Sequence, residues 1–227
     1  MDLLVFDLDG TLIDSKLDLA LSVNAVRADA SLPPLAHETI YSYVGNGAPV
    51  LIRRALGPDA SDRLAEDGLR YFYSYYREHM LDNTDLYPGV RAALDQLRDM
   101  GKQMAILTNK PVRFSQGIIA GLGLAPHFQE VLGGNSLETK KPDPEGLNKL
   151  MSQLGIGRAR TLMVGDSAVD VETARNAKVL CCGVTYGLQP ESFQQHPPDF
   201  LVDRFEEILP IIGNGAGRHS HQVSSES

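Results

Sequence analysis

The sequence predicts an α/β protein in which a doubly wound parallel sheet carries an inserted α-helical cap domain. After residue 84, short apolar runs alternate with helix-like segments, a pattern typical of parallel sheets with helices on both faces. Residues 16–82 show helical periodicity without a strand-like run, and they separate the first apolar run from all the others. The predicted parts are a core domain (residues 1–14 and 84–212), a cap domain (residues 15–83) and a disordered tail without an apolar pattern (residues 213–227).

The composition argues against several functional classes. The chain has 227 residues, of which 43% are hydrophobic and 22% charged, as in ordinary globular proteins. Its net charge of −8 argues against a nucleic-acid partner, and no apolar run approaches the ~20 residues of a membrane helix. The first apolar run is too short for a signal peptide, and the adjacent Cys181 and Cys182 are typical of buried thiols in a reducing compartment. We therefore expect a cytoplasmic protein without nucleic-acid or membrane partners, as a monomer or homodimer.

The first predicted strand, residues 3–6, leads directly into two carboxylates. Four consecutive apolar residues indicate a strand buried on both faces, and Gly10 marks a sharp exit. Asp7 and Asp9 then lie at the carboxyl edge of the sheet, where open α/β folds bind ligands. Two acids at this edge are costly unless a cation or a reaction uses them. The alternative is a strand-end aspartate followed by an ordinary Asp-Gly turn.

The cap segment is predicted to be helical throughout. Leu17, Ala20, Leu21 and Asn24 are expected to share one stripe of the first helix. Phe72 and Tyr76 belong to an aromatic cluster whose favoured interpretation is helix packing, with a ligand cage as the alternative.

The strand predicted at residues 104–107 ends in a hydroxyl and an amide side chain, those of Thr108 and Asn109. Further along, Lys141 precedes a helix that Asp143 can cap. A lysine at that position is electrostatically unfavourable, and a bound anion would resolve the conflict.

The strand predicted at residues 162–164 leads to Asp166, and Asp170 follows in the first turn of the next helix. That second acid could simply cap the helix or interact with its dipole. Strands at residues 179–182 and 200–202 complete the predicted sheet. Because Asp7, Thr108 and Asp166 each end a core strand, they should converge where neighbouring strands meet.

These segments, in this order, resemble the four motifs of the haloacid dehalogenase superfamily, whose phosphatases begin with Asp-x-Asp-Gly-Thr. Residues 7–11 resemble the first motif and residues 108–111 the second, in a variant frequent among phosphoglycolate phosphatase-like members. Lys141 resembles the lysine of the third motif, while Lys140 has no match. Asp166 and Asp170 resemble the acids of the fourth motif. The resemblance implies the Rossmann-like core of this superfamily.

The resemblance also implies the chemistry. Asp7 would be the nucleophile that forms an aspartyl phosphate, and Asp9 would be the general acid and base. An acid at position 9 also disfavours dehalogenation, because the family's dehalogenases typically lack it.

The remaining site residues are assigned in the same way. Mg²⁺ would be the cofactor, held by Asp7, the backbone carbonyl of Asp9, and Asp166. The substrate phosphate would be held by Thr108, the backbone N–H of Asn109, and Lys141. Asp170 would orient a metal-bound water or Lys141.

Substrate selection is expected from the cap. The loop around Gly45, Asn46 and Gly47 resembles that of phosphoglycolate phosphatases, as does the return to the core at residues 86–90. Arg53 and Arg54 either bind a substrate carboxylate or are solvated helix arginines.

The favoured function is therefore Mg²⁺-dependent hydrolysis of a small phosphoester, with 2-phosphoglycolate ranked first. Three alternatives stay open: a phosphosugar mutase resembling β-phosphoglucomutase, a phosphatase for pyrophosphate, glycerol phosphate or a sugar phosphate, and a non-catalytic binding protein.

Overall fold

The computed structural model describes residues 1–213. The strands, in chain order, are β1 (Leu3–Phe6), β2 (Ile13–Asp14), β3 (Asp85–Leu86), β4 (Gln103–Leu107), β5 (Glu130–Leu132), β6 (Thr161–Gly165), β7 (Leu180–Val184) and β8 (Phe200–Val202). The helices are α1 (Lys16–Asp29), α2 (His37–Tyr41), α3 (Ala48–Leu56), α4 (Asp62–His79), α5 (Val90–Asp99), α6 (Val112–Gly121), α7 (Glu145–Leu154), α8 (Ala168–Ala177) and α9 (Ile208–Gly213). The predicted tail began at residue 213, but Gly213 ends α9, and residues 214–227 lie outside the described part of the chain.

Six strands form one parallel sheet in the order β5-β4-β1-β6-β7-β8. The first strand is central, with Val5 opposite Ala105 on one side and Met163 on the other. The predicted parallel α/β sheet is therefore confirmed, as is the adjacency of the strands that precede Asp7, Thr108 and Asp166. Within residues 1–213, no helix has the length and apolar character needed to span a membrane.

Alternate residues of the central strand supply two separate apolar layers. Leu4 and Phe6 pack into the layer that includes the helices of residues 16–79, while Leu3 and Val5 pack into the opposite layer. All four side chains are fully buried, because helices cover both faces of the sheet. Cys181 and Cys182 are likewise buried free thiols.

The helices α1–α4, here called the helical segment, lie between β2 and β3, which pair as a short antiparallel ribbon. The predicted stripe of α1 is wrong in part, because Leu17 and Leu21 are exposed whereas Ala20 is buried. The reason is Asp18, a buried carboxylate that accepts hydrogen bonds from the Thr84 backbone N–H at 2.8 Å and the Thr84 hydroxyl at 2.7 Å. Asn83 adds two more donors to the same carboxylate. This bonding turns Asp18 inward, so that its neighbours Leu17 and Leu21 face outward.

The aromatic cluster of α4 is packed as predicted. Phe72 and Tyr76 stack with ring centroids 5.4 Å apart, and Tyr76 meets Phe114 edge-on at 5.3 Å. Both α4 side chains are buried members of the apolar core. They also line the cavity described next, so packing and access to a ligand coexist at these positions.

Candidate active site

A cavity opens at the carboxyl edge of the central strands, beneath the helical segment. Its floor contains Asp7, Asp9 and Asp166, and its opposite wall contains apolar side chains of the helical segment, such as Leu19 and Leu51. The three carboxylates follow β1 and β6, which are adjacent in the sheet. The expected convergence at the strand ends is thus what the structure shows.

Asp7, Lys141 and Asp170 form a buried chain of charges. The Lys141 ammonium lies 2.9 Å from Asp7 Oδ1 and 2.6 Å from Asp170 Oδ1. Burial alone would lower the pKa of Lys141, but Asp170 and Asp7 raise it above its usual value. Lys141 is therefore a buried cation whose position is fixed from two sides.

Asp170 has both of its oxygens engaged. One accepts from Lys141, and the other accepts from the Ser167 hydroxyl at 2.8 Å and the Ser167 backbone N–H at 3.2 Å, as part of the capping box of α8. Of the two partners expected for Asp170, a metal-bound water and Lys141, the structure shows the contact with Lys141. The Asp170 carboxylate therefore caps α8 and holds Lys141 at the same time.

The floor carries more negative charge than its lysine neutralises. Single carboxylate oxygens of Asp7, Asp166 and Asp170 lie within 4.8 Å of one another. Burial raises the pKa of Asp7 to about 6, against the lowering effect of Lys141. Burial, followed by the charges of Asp170 and Asp7, raises the pKa of Asp166 well above its usual value.

This donor set fits a hard divalent cation. The donors are all oxygens, which Mg²⁺ prefers, and a cation would relieve the crowding of negative charge. Asp170 has both oxygens engaged by Lys141 and Ser167, which favours Asp7 and Asp166 as the carboxylates that would hold the cation. The residues present therefore fit the expected Mg²⁺.

Gly10 explains how the first loop comes so close to the fourth. It has a φ of +84°, and a Cβ there would lie 2.1 Å from Asp166 Oδ2. Any side chain would therefore push Asp166 out of place. The glycine after Asp9 is a steric requirement of the floor.

Asp9 has its own cation, which the sequence analysis missed. Lys110 Nζ lies 2.9 Å and 3.1 Å from the two Asp9 oxygens, and the Ser15 hydroxyl donates to Asp9 Oδ1 at 2.5 Å. The lysine is buried, and its ammonium lies 4.6 Å from the centre of the Tyr76 ring. Its sequence signal was present, since Lys110 follows Asn109 directly in the second motif.

Asn109 ties the floor to the helical segment. Its side-chain amide donates to the Gly45 carbonyl at 2.9 Å and to the Lys141 carbonyl at 3.0 Å. Both amide hydrogens are thereby used, which leaves only the backbone N–H for a phosphate. Thr108 is buried beside it, and its hydroxyl accepts from the Lys110 backbone N–H at 3.2 Å.

Two further core side chains hold the loop of residues 42–47. Lys140 Nζ donates to the Asn46 carbonyl at 2.7 Å, and Gln189 Nε2 donates to the Val44 carbonyl at 2.6 Å. In this loop Gly45 and Gly47 take positive φ values of +111° and +86°, a conformation that glycine adopts without steric cost. Gln189 gave no signal in the sequence, because its partner lies 145 residues away.

The arginines of α3 do not reach the cavity. Arg53 pairs with Asp62 at 2.6 Å on the surface, and neither Arg53 nor Arg54 is among the residues that line the cavity. The buried face of α3 is formed by Leu51, Ile52, Ala55 and Leu56, so the intervening arginines face outward. Of the two alternatives for these arginines, their positions favour solvated helix arginines.

Comparison with known proteins identifies the family of the chain. A family model described as haloacid dehalogenase-like hydrolase matches residues 4–184. The phosphoglycolate phosphatase of Pseudomonas putida is 41% identical over 215 residues, covering 92% of this chain and 78% of the relative. That of Vibrio parahaemolyticus is 38% identical over 221 residues, covering 94% and 97%.

Solved structures agree as well. The crystal structure of a predicted phosphoglycolate phosphatase from Haemophilus somnus matches with a TM-score of 0.88 and 35% identity, covering 93% of this chain and 97% of the other. The resemblance to the phosphatases of this superfamily that the motifs indicated is thus confirmed, as is the expectation of an enzyme. The chain belongs to the haloacid dehalogenase-like hydrolase family.

Proposed function

We propose that this enzyme is a Mg²⁺-dependent phosphatase that hydrolyses 2-phosphoglycolate through an aspartyl phosphate on Asp7. The observation that carries the proposal is the pairing of each first-motif acid with its own buried lysine, Asp7 with Lys141 and Asp9 with Lys110. A two-step phosphoryl transfer needs one carboxylate as the nucleophile, next to a cation that neutralises the phosphate. It also needs a second carboxylate nearby for proton transfer.

In the first step, an Asp7 oxygen forms a bond to phosphorus while the bond from phosphorus to the ester oxygen breaks. Asp9, as the general acid, gives a proton to the leaving alkoxide. Lys141 offsets the charge of the phosphate. Asp170 holds the Lys141 ammonium in position, with its Oδ1 2.6 Å from Lys141 Nζ. The hydroxyl of Thr108 and the backbone N–H of Asn109 hold the phosphate oxygens.

In the second step, water attacks the phosphorus of the aspartyl phosphate and the bond to Asp7 breaks. Asp9, now a carboxylate, accepts the proton of that water and so returns to its starting state. When bound, Mg²⁺ would offset negative charge on the phosphate and the carboxylates, held by Asp7, Asp166 and the backbone carbonyl of Asp9.

The proposed substrate rests on two supports. The relatives from Pseudomonas putida and Vibrio parahaemolyticus are phosphoglycolate phosphatases at 41% and 38% identity. Leu19, Leu51 and Phe72 of the helical segment line the same cavity as Asp7 and Asp9, which favours a small leaving group. We further propose that residues 15–83 act as a cap on a core of residues 1–14 and 84–212.

The test is a comparison of kcat/KM across about 50 phosphorylated metabolites with Mg²⁺, because that ratio measures discrimination. We expect 2-phosphoglycolate to rank first and turnover to cease in EDTA. A different ester ahead by tenfold or more would overturn the substrate. Conversion between sugar phosphate isomers that needs a bisphosphate primer and releases no phosphate would instead identify a mutase.

A further inference from the structure

We infer that Lys110 and Tyr76 together form the subsite that recognises a carboxylate on the leaving group of the substrate. This inference rests on the proposed function and deepens it, since it names the side chains that would give 2-phosphoglycolate its advantage over uncharged esters. The two residues come from opposite sides of the cavity. Lys110 follows β4 in the core, and Tyr76 belongs to α4 of the helical segment.

The distribution of cations singles out Lys110. Among the residues of the described chain that line the cavity, it is the one with a cationic side chain. Lys141 is committed to Asp7 and Asp170, and it stands at the phosphate end. Arg53 and Arg54 lie outside the cavity. A substrate carboxylate in this cavity therefore meets its positive charge at Lys110.

The position of Lys110 follows from that of Asp9. A general acid must come within hydrogen-bond reach of the ester oxygen that it protonates. The ammonium of Lys110 is 2.9 Å and 3.1 Å from the Asp9 oxygens, so a single carboxylate group connects it to that ester oxygen. In 2-phosphoglycolate the carboxylate carbon is two bonds from the same oxygen. The geometry of proton donation thus brings the carboxylate to the ammonium.

Tyr76 supplies an unused donor at the same place. Its hydroxyl is buried and donates to no acceptor within the described residues, and its ring lies 4.6 Å from Lys110 Nζ. A buried O–H without an acceptor is costly, and an incoming carboxylate oxygen would accept its hydrogen bond. Lysine and tyrosine would then each donate to the carboxylate, between the apolar rings and side chains around them.

A simpler role for Lys110 would be to orient Asp9 only. The two roles make different predictions, because every alkyl ester needs Asp9 but only some carry a carboxylate. Asp9 also keeps a second anchor, the Ser15 hydroxyl at 2.5 Å, when Lys110 is replaced. The ratio of kcat/KM for 2-phosphoglycolate to that for ethyl phosphate therefore isolates recognition of the carboxylate.

The experiment measures that ratio in wild type, Lys110→Met and Tyr76→Phe. Lys102→Met is the matched control, since it breaks a lysine–aspartate pair of 3.2 Å, with Asp2, outside the cavity. We expect Lys110→Met to lower the ratio about 10- to 100-fold, as for a lost charged hydrogen bond, and Tyr76→Phe to lower it about 3- to 10-fold. Lys102→Met should keep the wild-type ratio.

Binding gives a readout that does not depend on turnover. Calorimetry with Mg²⁺ compares 3-phosphonopropionate, in which a methylene replaces the ester oxygen, with propylphosphonate, which lacks the carboxylate. Wild type should prefer the carboxylate-bearing ligand, and Lys110→Met should bind both with similar Kd. If Lys110→Met does not fold, Lys110→Gln is measured in its place, and Tyr76→Phe tests the subsite without a change of charge.

The outcomes separate the inference from the function beneath it. Equal losses for both esters in Lys110→Met, which leave the ratio unchanged, would show that Lys110 serves Asp9 alone. Undiminished kcat/KM for both esters would show that another group reads the carboxylate. Either result overturns the inference while 2-phosphoglycolate stays the substrate. If wild type itself shows no preference for 2-phosphoglycolate over ethyl phosphate, the proposed substrate fails and the subsite with it.

Discussion

The two sides of the cavity are built in different ways. The floor, formed by residues that follow β1, β4 and β6, is a set of interlocked charges such as Asp7 with Lys141 and Asp9 with Lys110. The roof, formed by α1, α3 and α4, is mainly apolar and touches the floor through hydrogen bonds to the 42–47 loop. Each lysine of the floor pairs with a carboxylate, so removing a lysine leaves a carboxylate buried and unpaired. The roof instead contributes neutral contacts, and losing one should have a small effect.

The largest effect should come from Asp7→Asn. An amide cannot form the aspartyl phosphate, so kcat should fall by about 10⁴-fold or more while the fold is kept. Turnover of 2-phosphoglycolate by enzyme purified free of wild type measures this. Retention of a tenth of wild-type activity would remove Asp7 from its role as nucleophile.

The same variant tests the charge balance of the floor without metal. Burial raises the pKa of Asp7 from 3.8 to about 6, so the folded protein holds this proton more tightly than the unfolded chain. The contribution of Asp7 to the free energy of unfolding is thus present at low pH and lost as the pH rises through about 6. Urea unfolding in EDTA should show Asp7→Asn gaining stability over wild type more at pH 8 than at pH 5. A gain in stability that does not depend on pH would mean that ionisation of Asp7 does not destabilise the folded protein.

Asp9→Ala should be the next most severe change. General acid–base catalysis contributes about 10²- to 10⁴-fold, and kcat for 2-phosphoglycolate should fall by that amount. A leaving group that needs no proton, p-nitrophenolate, should restore the first step, so the phosphoenzyme should accumulate and be trapped by acid quench. Equal slowing of both substrates without a phosphoenzyme would assign Asp9 another role.

The neighbouring lysines offer a matched pair across the floor and its rim. Lys141→Met removes the partner of both Asp7 and Asp170 and should lower kcat/KM by about 10²-fold or more. Lys140→Met removes one exposed contact with the Asn46 carbonyl and should lower it by less than about 3-fold. Similar losses in the two variants would show that the third motif has been assigned one residue out of place.

The smallest effect should come from the roof. Gln189→Met removes the hydrogen bond to the Val44 carbonyl, and KM should rise about 2- to 10-fold with kcat nearly unchanged. The exposed Gln194→Met is the control and should match wild type. A fall in kcat as large as that of Lys141→Met would erase the distinction between floor and roof.

The sequence predicted the floor better than the roof for a physical reason. The positions of Asp7, Thr108 and Asp166 each follow from a short apolar run, and a parallel sheet brings such strand ends together by itself. Lys110 was missed although it adjoins Asn109, because nothing local reveals that its partner is Asp9, 101 residues away. Strand β5 was missed because only three residues form it, one of them Glu130.

The roof depends on rotation of helices, which local periodicity fixes only loosely. The stripe of α1 was wrong because Asp18 binds Asn83 and Thr84 from far along the chain. The arginines of α3 had the right chemistry for a carboxylate but the wrong face. Gln189 could not be linked to Val44 without the fold. Long-range contacts of this kind leave no local pattern to read.

The side chain of Asn109 has a consequence for which substitutions the enzyme can tolerate. Its nitrogen points one hydrogen at the Gly45 carbonyl and the other at the Lys141 carbonyl. Aspartate, the same in shape, would present an oxygen to two oxygens and would repel both. The exchange of one nitrogen for oxygen, by mutation or by spontaneous deamidation, therefore replaces two hydrogen bonds with two repulsive contacts. Deamidation of this single amide is expected to weaken the attachment of the 42–47 loop and of the segment carrying Lys141 at the same time.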